Sequence, residues 1–152
     1  MVGGNTISGN AAFGVILFDG AHVLIGDSAF GLGSANSVTG NGQGGISAFL
    51  GSTLDLRDAT VSNNNGPGLQ FVLRSTVRSN FNTNTSTTIS GNSGDGVLLI
   101  QGSAARFDNQ VTVSSSGGFG LNCADAESSF AGTTSGITGN TRGNISPGCT
   151  GF

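Results

Sequence analysis

The sequence predicts an all-β fold, a single-stranded right-handed parallel β-helix of about six coils of 23 or 24 residues, with three short strands per coil. Three observations predict it. The phrase Thr6-Ile7-Ser8-Gly9-Asn10 returns in varied form, six copies in all. In each copy a second apolar residue stands eight positions after the first. Alternating apolar runs of only three to five residues, bounded by Gly, Asn and Ser, have the period of strands and not of helices.

The first strand of each coil carries Ile7, Val38, Val61, Ile89, Val113 and Ile137 as an inward column. Their separations of 31, 23, 28, 24 and 24 reduce to one coil length once inserts of about eight and about four residues are removed. The inserts are placed at Asp27 to Asn36 and at Asn80 to Thr87, both after a third strand, and both read as polar loops. After the first strand, Asn10, Asn41, Asn64, Asn92 and Asn140 share one coil position, with Ser116 as the departure. Asn accepts the left-handed backbone of a sharp corner, and stacked amides hydrogen-bond along an axis.

The second strand brings Val15, Ile46, Leu69, Val97, Leu121 and Ile145 inward, each just after a Gly in all but the last copy. The third begins with Val23, Leu54, Val77 and Ala105, flanked by Ile25, Leu56 and Phe107. β-Branched residues dominate these columns because they fit a pleated, half-buried surface. Coils paired at about 4.8 Å make a rod on the order of 29 Å long. A left-handed hexapeptide helix needs shorter coils, and a leucine-rich repeat needs a helix-forming segment that is absent here.

Composition narrows the function. The 152 residues read as one domain, 1–152, with a longer native chain left open. Only five residues are basic, none of them Lys, and the net charge is −3, which argues against a nucleic-acid partner. No apolar run approaches the roughly 20 residues that span a bilayer, so no membrane partner is expected. The opening Met-Val-Gly-Gly-Asn lacks the charged and apolar regions of a signal peptide.

The Thr-Ile-Ser-Gly-Asn…Gly-Val units resemble the parallel β-helix repeats of the pectate lyase-like superfamily, which includes NosD-like proteins. The resemblance covers nearly the whole chain and is specific for fold alone, since the superfamily holds lyases, hydrolases, epimerases and adhesins. It implies an extracellular or periplasmic location. It also implies that, if the chain were an enzyme, an outer sheet would cut acidic polysaccharide, with carboxylates holding Ca²⁺ and an Arg as base.

The outward residues divide into three faces. On the third sheet, Asp55, Arg78 and Arg106 share one position in consecutive coils, near His22, Arg57, Asp58 and Asp108. Under the lyase alternative, Asp55, Arg78, Arg106 and Asp108 are the catalytic candidates; otherwise they are a surface charge ladder. No cofactor and no metal site is expected outside that alternative. His22 is read as an ordinary exposed residue. The lack of Trp and Tyr weighs against sugar stacking.

On the second sheet, Ile16, Phe18, Phe49, Val72, Leu98 and Ile100 face outward and form an apolar strip. Such a strip predicts a partner chain, a second copy in a homo-oligomer or another protein, with a covering segment of a longer native chain as the alternative. On the first sheet, Thr and Ser alternate outward from Thr6/Ser8 to Thr112/Ser114, a hydroxyl grid similar to the faces of ice-binding solenoids. Cys123 and Cys149 fall on neighbouring coils. A bridge there closes a loop of about 25 residues and contributes roughly 3–4 kcal/mol in the chain-entropy account; two buried thiols are the other reading. The sequence thus predicts a non-catalytic extracytoplasmic solenoid that self-associates through its second sheet, with polysaccharide binding or cleavage as the alternative and ice binding as a lesser one.

Overall fold

The computed structural model describes residues 3–26, 35–79, 86–108 and 110–150. Every regular element among them is a β-strand, and all strands pair in parallel. The first sheet stacks β1 (Thr6–Ser8), β4 (Asn36–Thr39), β7 (Ala59–Ser62), β10 (Thr87–Ser90), β13 (Val111–Ser114) and β16 (Ile137–Thr138). The second stacks β2 (Phe13–Leu17), β5 (Gly44–Ala48), β8 (Leu69–Val72), β11 (Val97–Ile100), β14 (Phe119–Cys123) and β17 (Gly143–Ile145). The third holds β3 (His22–Ile25), β6 (Thr53–Leu56), β9 (Thr76–Ser79), β12 (Ala104–Phe107) and β15 (Ser129–Gly132). Among the described residues the rod therefore has five complete coils and the first two strands of a sixth, a slight departure from the expected six.

Each strand pairs with the strand one coil away, so residues at equivalent coil positions stack. Ile7 lies on Val38, Val38 on Val61, Val61 on Ile89, Ile89 on Val113 and Val113 on Ile137. From Val38 to Val113 this column is fully buried. The third-sheet column changes size sharply at its last step: Ala105 is followed by Phe130, whose ring meets Phe107 edge-on at 5.4 Å. The large ring fills the space that the small residue leaves, as dense packing requires.

The Asn column is a ladder, and its geometry corrects one expectation. The left-handed residue at the corner is the one before each Asn: Gly9, Gly40, Asn63, Gly91, Ser115 and Gly139. That turn sends the following Asn inward, and Asn41, Asn64 and Asn92 are each 1% exposed. There the Nδ2 of Asn10 donates to Asn41 Oδ1, Asn41 to Asn64 and Asn64 to Asn92, each at 2.9 Å. The same Oδ1 atoms accept the backbone N–H of the preceding Asn, at 3.0–3.1 Å. Buried amides are thus paired and the corner backbone is held without solvent. At Ser116 the ladder breaks, and Ser116 Oγ is buried with no hydrogen-bond partner.

The glycines that precede the second-sheet anchors make room for this ladder. A Cβ on Gly68 would lie 2.7 Å from Asn92 Nδ2, 2.7 Å from Ile89 Cγ2 and 2.8 Å from Gly96 O. A second ladder runs at the opposite corner, where Ser52, Ser75 and Ser103 are fully buried. Ser52 N–H donates to Ser75 Oγ and Ser75 N–H to Ser103 Oγ, while each hydroxyl caps a carbonyl three residues back.

Asn36 and Thr87, taken above as the last insert residues, are strand residues, paired with Ala59 and Val111. The interior of both inserts lies outside the described residues. At the C-terminal end, Asn140 Nδ2 turns to Asn144 Oδ1, and Cys123 and Cys149 form a disulfide beneath Leu121.

Candidate functional site

The three sheets present three different outer chemistries. On the third, the register sets Asp55 beside Arg78 and Arg78 beside Arg106. Arg78 grips the Asp55 carboxylate with two donors, Nε at 3.1 Å and a terminal NH2 at 3.3 Å. His22 Nε2, from the coil before, lies 3.4 Å from Asp55 Oδ2, so the exposed histidine has a partner after all. Burial pushes the Asp55 carboxyl up, but the Arg78 hydrogen bond and charge, with a contribution from His22, outweigh it and hold the group below the ordinary carboxylate value.

Arg106 pairs instead with Asp108, at 3.3 Å on the surface. Asp58 sits on left-handed backbone at the corner between β6 and β7. Asp55 and Asp108 are thus held by different arginines. Among the described residues, no three His, Cys, Asp or Glu side chains gather closely enough to hold a metal ion. Beside the two arginines is a depression of about 280 Å³ whose lining includes Ala104, Ala105 and Ala131.

A larger depression of about 710 Å³ lies at the corner between the second and third sheets, lined by Leu73, Arg74, Gln101, Asp125 and Glu127. Its carboxylate at Asp125 is occupied structurally. It accepts the N–H groups of Gln101, Gly102, Glu127 and Ser128, and the Ser128 hydroxyl. The corner of the fifth coil is longer than those above it, and Asp125 ties it to the coil before.

The first sheet carries the hydroxyl grid in register. Thr6, Ser37, Thr60, Thr88 and Thr112 form one outer row, and Ser8, Thr39, Ser62, Ser90 and Ser114 the other. Neighbours in it bond one another where they meet, as Thr39 and Ser62 do at 3.4 Å.

The second sheet carries the apolar strip, with two changes from the expected pattern. Ser47 and Gln70 lie between Ile16 and Leu98 in the first outer row. Ser47 is fully covered by its neighbours, and its hydroxyl has no hydrogen-bond partner. The second outer row, Phe18, Phe49, Val72 and Ile100, is apolar throughout; Phe18 and Phe49 have ring centroids 6.0 Å apart. Ile16 and Phe18 are more than half exposed, at 54% and 59%.

Sequence reasoning missed a third row. At the corner after these strands stand Asp19, Leu50, Leu73 and Gln101, all left-handed, with φ of 56°, 54°, 57° and 56°. Leu50 and Leu73 are about two-fifths exposed. A leucine held left-handed costs about 1–2 kcal/mol, and at these corners its side chain points to solvent. The signal available in the sequence was Leu50-Gly51: a bulky apolar residue where a turn favours Asn or Asp.

A family model described as the right handed beta helix region matches residues 1–135, and the chain belongs to that family. Membership fixes the hand of the coil and is consistent with the pectate lyase-like superfamily. No curated protein and no solved structure matches the chain.

Proposed function

We propose that this right-handed β-helix is a non-catalytic structural and interaction module, working outside the cytoplasm and engaging another protein chain through the outer face of its second sheet. The observation that carries the reading is the pair Leu50 and Leu73, exposed on left-handed backbone beside Phe18 and Phe49. Strain of this kind persists where function requires it. A contiguous apolar patch on a polar rod is the usual mark of a protein contact. The disulfide supports an oxidising compartment, because cytosolic thiols are kept reduced.

Hydroxyl-radical footprinting tests the reading, comparing the isolated protein with the assembly recovered from its source. Phe18 and Phe49 should be modified readily in dilute isolated protein and protected in the assembly. Equal modification in both would overturn it.

The depression beside Arg78 and Arg106 favours a second reading, a polysaccharide-binding or polysaccharide-cleaving face with Asp55 and Asp108, for which Ca²⁺ would be the ion to test. Incubation with acidic polysaccharides, with and without Ca²⁺, decides it. Retention or cleavage lost in Arg78→Ala would support this face over the apolar one. The in-register hydroxyl grid supports an ice-binding reading, which thermal hysteresis no different from buffer would remove.

A further inference from the structure

We infer that the partner on the second sheet is a second copy of this chain, docked face to face about a two-fold axis that lies in the interface and runs parallel to the strands, between β5 and β8. The inference rests on the interaction reading above and names its occupant.

The observation is that the outer face has the same chemistry read from either end of its first four coils. The first row runs Ile16, Ser47, Gln70, Leu98: apolar at both ends and polar between, with Ser47 covered by its neighbours. The second runs Phe18, Phe49, Val72, Ile100 and is apolar at every step. The corner row runs Asp19, Leu50, Leu73, Gln101: polar, apolar, apolar, polar. The fifth coil, with Asn122 and Asp125, breaks the symmetry and ends the patch.

A two-fold axis in this position keeps strand direction and reverses coil order, so coil one faces coil four of the second copy and coil two faces coil three. Ile16 then meets Leu98, Phe18 meets Ile100, Phe49 meets Val72 and Leu50 meets Leu73, each pair formed twice. At the corner the polar positions also match, Asp19 against Gln101, whose amide can donate to the carboxylate; Ser47 is covered by its own neighbours and makes no contact across the axis. A surface that complements itself is what an isologous contact requires. An axis along the rod would instead set Ile16 against Asp19 and Leu98 against Gln101, apolar against polar, so the rows select the first arrangement.

The size of the patch sets the strength. Four coils at about 4.8 Å, crossed by some five residues of strand, give a flat footprint on the order of 300 Å² per copy before side-chain relief. That is below the roughly 800 Å² per partner of a standard interface, so the dimer is weak and concentration-dependent.

The test is disulfide trapping between two variants, Ile16→Cys and Leu98→Cys, singly and mixed, under mild oxidation over a concentration series. Both side chains are on the outer face, and Ile16 is more than half exposed, so the core is undisturbed. The mixture should yield a covalent dimer that increases with concentration. Either variant alone should give at most a tenth as much, because like positions lie three coils, about 14 Å, apart. Sedimentation of the unmodified protein should show an average mass rising above 14.9 kDa over the same range. Equal trapping in one variant alone would overturn the arrangement while leaving the interaction reading in place. A constant monomer mass with no trapping would overturn the second copy as partner; protection of Phe18 in the source assembly would then point to a different chain.

Discussion

Asn64 donates its side-chain N–H to Asn92 Oδ1 at 2.9 Å, and both residues are 1% exposed. The pair is one rung of the ladder that fixes where each coil turns. Removing a rung strands buried partners, so Asn64→Ala should cost at least about 2 kcal/mol, since Asn92 Oδ1 loses a donor and Asn41 loses its acceptor. The reverse change is available at the break. Ser116→Asn would give Asn92 an acceptor and Asn140 a donor, and should raise stability by about 1 kcal/mol. Urea unfolding of both variants checks the two signs.

Gly68→Ala should destabilise by about 1–3 kcal/mol, although it adds only a methyl group. The new carbon would press on Asn92 Nδ2, Ile89 Cγ2 and the backbone oxygen of Gly96 together, so no single side chain can step aside. Thermal unfolding followed by circular dichroism measures the loss, and an unchanged midpoint would contradict the close approach.

Asp55 has a folded pKa below its unfolded value of about 3.9. Its ion pairs therefore contribute stability that is complete above that value and is lost as the pH falls through the folded pKa. Asp55→Asn should be less stable than the parent at neutral pH, and the gap should close as the pH drops below about 4. Urea midpoints at a series of pH values read this directly; a gap independent of pH would refute the assignment.

Leu50→Asn should stabilise the isolated chain by about 1 kcal/mol while weakening association through the second sheet. Asn accepts the left-handed corner with less strain, but it takes an exposed apolar side chain out of the patch. Unfolding and sedimentation measured on the same sample should move in opposite directions.

The rod could be read from the sequence because every coil repeats the same inward letters. The columns from Ile7 to Ile137 and from Val15 to Ile145 are legible as periodic apolar residues, and the Asn ladder as a near-invariant polar one. The Ser ladder of Ser52, Ser75 and Ser103 was not legible, because Ser is common throughout this chain and its buried and exposed copies look alike. Alternation alone found Ile16, Phe18 and Leu98, yet Leu50 and Leu73 follow their strands and belong to no alternating pattern. Asp55, Arg78 and Arg106 were correctly placed in one column, whereas the choice of Arg78 over Arg106 as partner for Asp55 depends on side-chain reach.

The amide ladder has a direction, and that bears on how the chain is made. Each rung donates forward, from Asn10 to Asn41, then to Asn64, then to Asn92, and the space above each glycine that precedes a second-sheet anchor is filled by side chains of the coil that follows. A coil leaving the ribosome is therefore finished by its successor, and order advances with synthesis. The last coil has no successor among the described residues; it is closed by Asn144 and by the link from Cys149 back to Cys123. Oxidation of that pair needs Cys149 folded back onto Cys123, so the link is a latch set only after the fifth and sixth coils are in place.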